Sequence, residues 1–146
     1  MDARMLAGAL VVAMTACGQM GTDGIAASHI AANVPGQIDF DRLLRRDLQQ
    51  YFATSVGRPV AVEYELLRSG PTQTGIAYPK FYAWVRVVEK GSVLRQGAVR
   101  LAAIARERFD VTDFVSADEA RANPERLRQV FPGPVCDRIS ERLVSP

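Results

Sequence analysis

The sequence predicts an α+β fold, in which an N-terminal amphipathic helix packs on a three- or four-stranded antiparallel sheet and short C-terminal helices follow. Three observations predict it. Apolar residues recur at helical spacing over residues 40–52, apolar and polar residues alternate with a period of two in the later runs, and Ser116-Ala117-Asp118-Glu119 matches a capping box.

The helix is carried by Phe40, Leu43, Leu44, Leu48, Tyr51 and Phe52, with Asp39 and Asp41 near its start and Gly57-Arg58-Pro59 closing it. Arg42, Arg45 and Arg46 fall on its polar side among Asp41, Asp47 and Gln49, the pattern of a solvated face. Val60, Val62, Tyr64 and Leu66 then alternate with Ala61, Glu63, Glu65 and Leu67, which makes a strand with one wet side. After the break at Ser69-Gly70-Pro71, Phe81, Ala83, Val85 and Val87 alternate with Tyr82, Trp84, Arg86 and Val88. Glu89-Lys90-Gly91-Ser92 supplies a turn into a third run from Val93 to Ala105, so these two runs form a long hairpin. Phe109 to Val115 reads as a short fourth strand or as a bulged continuation of the third. Beyond the capping box, Asn123-Pro124 starts another helix, and Phe131-Pro132-Gly133-Pro134 breaks the chain before a last amphipathic segment with Val135, Ile139 and Leu143.

One helix followed by antiparallel strands resembles the cystatin-like and NTF2-like folds in element order. The cystatin inhibitor motif Gln-Val-Val-x-Gly is not reproduced by Gln96-Gly97-Ala98-Val99, so the resemblance implies no protease inhibition.

At 146 residues the chain fits one domain, and 48% hydrophobic with 23% charged residues is the balance of a folded chain rather than a disordered one. The formal charge of +2 arises from 18 basic and 16 acidic residues that are interspersed, which leaves no basic stripe for nucleic acid. Residues 1–16 are expected as a signal peptide, 17–37 as a flexible tether and 38–146 as the folded domain.

The strongest signal lies at the N-terminus. Met5 to Ala16 is an uncharged apolar run of secretory length, too short to cross roughly 30 Å of hydrocarbon. It ends in Met14-Thr15-Ala16-Cys17, which resembles the lipobox of bacterial lipoproteins. That resemblance implies acylation of the Cys17 thiol and cleavage on its N-terminal side. Gly18 at the second mature position implies outer-membrane rather than inner-membrane delivery, with the domain in the periplasm. Gly18 to Gly36 is rich in Gly, Ala and Ser and lacks helical or strand periodicity, as a tether would. Several acyl chains, each contributing about 0.8 kcal/mol per buried methylene, would hold the chain to the membrane without any membrane-binding surface on the domain.

Residues that would carry chemistry are sparse. The single histidine, His29, lies in the expected tether, and no zinc spacing, EF-hand, P-loop or Gly-x-Gly-x-x-Gly motif occurs, so no metal or cofactor is implied. Cys136 reads as a free buried thiol. Glu63 and Glu65 share one side of the first strand, with Arg86 and Arg100 on neighbouring strands as cross-strand partners, and Asp110 and Asp113 lie near the sheet's end. Tyr78, Tyr82, Trp84 and Arg86 form the candidate partner-binding face, because Tyr, Trp and Arg carry most hot-spot energy at interfaces. The competing expectation is that the C-terminal helices from Ala117 to Leu143 cover that side as a second small core. Two functional classes stand open: a non-enzymatic, membrane-held lipoprotein that binds another envelope protein, and a small-molecule or enzymatic domain with a pocket between helix and sheet.

Overall fold

The computed structural model describes residues 22–145, so the expected signal peptide, the lipobox and Cys17 lie outside the described residues. Helices α1 (Thr22–Asn33) and α2 (Gln37–Val56) precede strands β1 (Ala61–Leu66), β2 (Lys80–Glu89), β3 (Ser92–Ile104) and β4 (Arg108–Ser116). Helices α3 (Ala117–Ala122), α4 (Pro124–Val130) and α5 (Gly133–Val144) follow. The strands form one antiparallel sheet in the order β1-β2-β3-β4, so each strand pairs with its sequence neighbour and β1 and β4 are the edges.

The α+β expectation is met element by element. Leu43, Leu44, Leu48 and Phe52 of α2 are buried against one sheet face, where Val62, Phe81, Ala83, Val85, Val87, Val99, Leu101 and Phe109 meet them. Phe40, Phe81 and Phe109 pack edge to face, with ring centroids 5.0 to 5.8 Å apart. Burying each such aliphatic or aromatic side chain contributes about 1.5–3 kcal/mol, which makes this core the main source of stability. Tyr51, on the expected apolar stripe, turns out exposed.

The opposite face carries a second core. Tyr82, Trp84, Ala98 and Val115 lie beneath Ala117, Ala120, Leu127, Val130, Phe131, Val135 and Ile139 of the C-terminal segment. Ser116 Oγ accepts from the Glu119 N–H at 3.1 Å to start α3, as the capping box requires, while the Glu119 carboxylate pairs with Arg126 at 3.6 Å. Pro124 sits at the start of α4, where its missing N–H costs nothing.

Both long hairpin turns place residues at positive φ. Lys90 (φ 49°) and Gly91 (φ 79°) form the two-residue turn between β2 and β3, matching the right-handed twist of the strands. Ala105 (φ 54°) and Arg106 (φ 63°) lie in the β3–β4 turn, a conformation that side chains resist. That turn is held from outside: Asn33 accepts from the Ala105 N–H through its side-chain oxygen at 3.0 Å and from the Arg106 N–H through its carbonyl at 2.8 Å.

Asn33 closes α1, and this helix is the departure from expectation. Where residues 17–37 read as an aperiodic tether, residues 22–33 are helical. The segment TDGIAASHIAAN has no apolar stripe, so periodicity gave no sign of it, but its four alanines favour helix without a stripe. No helix among the described residues is long and apolar enough to cross a membrane.

Candidate functional site

Tyr82 and Trp84 alternate on the face of β2 turned away from α2, and α3 to α5 fold back over it. Tyr82 is only 4% exposed and Trp84 8%. The Tyr82 hydroxyl is satisfied inside by the Thr72 hydroxyl at 2.6 Å, and its ring packs on Phe131. Tyr78 is 49% exposed in the loop before β2, and Arg86 is exposed at the other end of the strand. The four residues expected as one partner-binding face are therefore not brought together on the surface. The cause is the amphipathic C-terminal segment, whose Val135 and Ile139 need an apolar surface and find it at Trp84 and Ala98.

What remains open on that face is a cleft of about 450 Å³ beside α5, lined among others by Glu63, Glu65, Trp84, Arg86, Gln96 and Arg142. Strand pairing builds its floor. Glu63 stands opposite Arg86 and Glu65 opposite Trp84, so these side chains emerge on one side of the sheet. Arg86 reaches Glu63 at 3.2 Å, as expected from the sequence. Arg100 does not join them: it pairs with Asp113 at 2.6 Å and bonds to the Val130 carbonyl. Glu65 pairs instead with Arg142 of α5, a partner more than seventy residues away that strand alternation gave no means of finding. Two carboxylates and two guanidiniums thus ring the edge of one indole, and Arg142 ties the last helix to the first strand.

The other acidic pair is dispersed. Asp110 meets Arg108 at 3.2 Å, while Asp113 lies across a bulge opposite Arg100. Thr112 is the extra residue that separates them. Among the described residues no group of three or more His, Cys, Asp or Glu could hold a metal ion. Cys136 is half-buried against the second core, with its thiol directed to the Phe131 carbonyl at 3.4 Å, and burial pushes its pKa up. The space between α2 and the sheet, expected to hold a pocket if the domain binds a small molecule, is filled by Leu44, Leu48, Phe52, Val85 and Val99, all at 0% exposure.

One further polar link joins α2 to β1. The Tyr64 hydroxyl donates to Asp41 at 2.6 Å, and Arg45 both pairs with Asp41 at 3.0 Å and lies 5.1 Å over the Tyr64 ring. Burial, reinforced by the Asp41 carboxylate, pushes the Tyr64 phenol up to about 12, while the Tyr64 hydroxyl and then Arg45 hold the Asp41 carboxyl below its usual range.

Comparison of the chain with protein-family models, with curated proteins and with solved structures finds no match.

Proposed function

We propose that this chain is a lipid-anchored envelope protein, held to the outer membrane through Cys17, whose periplasmic domain binds another protein through the charged cleft on the outer sheet face. The cleft carries the interaction reading. Trp84, buried at the cleft floor, is flanked by Arg86 and Arg142 and countered by Glu63 and Glu65, so residue types that dominate protein contacts sit within a polar rim that fixes orientation. The Met14-Thr15-Ala16-Cys17 sequence supports the anchor.

The spacing between anchor and domain fits this arrangement. Four residues separate Cys17 from the start of α1, and a twelve-residue helix rises about 18 Å. Among the described residues, α1 is hydrogen-bonded to the rest of the domain through its last residue, Asn33. Such an arm stands the domain off the bilayer and leaves the cleft free.

Two measurements test the two halves. Mass spectrometry of the N-terminal peptide should find Cys17 as the first residue carrying acyl chains, and a Cys17→Ser variant should leave the membrane fraction; a retained Met1 refutes the anchor. Crosslinking in detergent-solubilised envelopes should give an adduct that is lost on Arg86→Glu with Arg142→Glu and kept on Tyr78→Ala. An adduct indifferent to the charge reversals refutes the cleft as the contact surface.

A further inference from the structure

The two edges of the sheet are not equivalent. On β4, the Phe109 N–H points away from β3 and donates to Asp47 at 2.7 Å, while Arg46 donates to the Glu107 carbonyl at 2.9 Å. Helix α2 thus occupies the polar groups where this edge begins. The bulge at Thr112 then bends the strand, which spoils it as a template for pairing.

At β1 the edge is open. The Leu67 N–H donates to the Tyr82 carbonyl at 2.8 Å, and the register runs unbroken from Leu66 opposite Ala83 to Ala61 opposite Val88. In an antiparallel pair, directly opposed residues alternate between bonding each other and facing away. Glu65, Glu63 and Ala61 therefore bond inward to β2, and Val62, Tyr64 and Leu66 present their N–H and C=O groups outward. None of these outward groups meets a partner among the described residues.

A second copy of the chain is a poor occupant. Antiparallel pairing of two β1 strands through their outward residues sets Glu63 against Glu65, Glu63 against Glu63 or Glu65 against Glu65, depending on register. These are the non-hydrogen-bonded positions, where opposed side chains come closest and like charges repel. The same geometry selects a different strand. Glu63 touches Arg86 through one carboxylate oxygen, and the side chains of Glu63 and Glu65 are 63% and 50% exposed, so each can take a second cation from across the edge.

We propose that β1 accepts an extended segment of a partner protein as a fifth strand. That segment carries Lys or Arg opposite Glu63 and Glu65 and apolar residues between them, on the side of Val62 and Leu66. This rests on the reading of the adjoining cleft as a protein-binding surface and names the chemistry of the partner.

The test uses the full chain in detergent and two short peptides, valine alternating with lysine and valine alternating with glutamate, with amide exchange followed by NMR. The lysine peptide should slow exchange at Val62, Tyr64 and Leu66 by about tenfold or more at saturation and leave Val111 of β4 unchanged, while the glutamate peptide should do neither. In a Glu63→Lys/Glu65→Lys chain the preference should reverse. Equal slowing by both peptides, no slowing by the lysine peptide, or slowing at Val111 instead overturns strand addition, as does concentration-dependent dimerisation with protected β1 amides. An envelope crosslink that depends on Arg142 while the β1 amides of the complex still exchange fast would sink strand addition and leave the cleft reading standing.

Discussion

At Gly97 the backbone of β4 passes so close that a β-carbon would collide with the Val115 carbonyl oxygen and lie 2.7 Å from the Ser116 Cα. Gly97→Ala should therefore cost about 3 kcal/mol or more in urea unfolding, because backbone rather than a flexible side-chain end must give way. The opposite sign is expected at the β3–β4 turn. Ala105→Gly, at φ 54°, should raise stability by about 1 kcal/mol by removing the clash of a β-carbon in the left-handed region. Asn33→Ala should lower stability, since it removes the side-chain bond that holds the Ala105 N–H in this turn. Neither strained turn residue was legible in the sequence, where Ala105-Arg106-Glu107 carries none of the Gly, Asn or Asp that normally mark positive φ. The buried sets of α2 and β2 were legible, because spacing of 3.6 and of 2 survives in Leu44, Leu48 and Phe52 and in Phe81, Ala83 and Val85. The cleft was half legible: Glu63 with Arg86 follows from strand alternation, whereas Arg142 arrives through tertiary folding of α5.

Between elements, the contact of α2 with β1 depends on pH in a direction that the Asp41–Tyr64 bond fixes. The folded Asp41 carboxyl sits below its ordinary range, so the stability it contributes is present above the unfolded carboxylate pKa, near 4, and is lost as pH falls through the folded value. Tyr64→Phe removes the first cause of that shift, and chemical denaturation over roughly pH 5 to 2 should show a shallower loss of stability than in the parent chain. At the alkaline end the sign is reversed. The Tyr64 phenol is raised to about 12, so its contribution is complete below the unfolded value near 10 and fades as pH rises toward the folded one. On the far side of the sheet, Asp47→Ala should unseal the β4 edge and speed amide exchange at Phe109 while leaving Tyr64 unchanged.

For the molecule as a whole, the sheet is covered on both faces, by α2 on one and by α3 to α5 on the other. Trp84 lies in the second core, so iodide should quench its fluorescence weakly in the native chain and strongly in urea; strong native quenching would show that the C-terminal helices do not stay docked. The two cores also differ in chain order. Every residue of the α2 side is made by the end of β4, whereas the cover over Trp84 is complete only once Ile139 is in place. Until α5 has been synthesised, the growing polypeptide carries a bare aromatic patch on a sheet whose other side can already close. The stretch from β4 to α5 is thus the interval in which a chaperone escort would matter most to this protein.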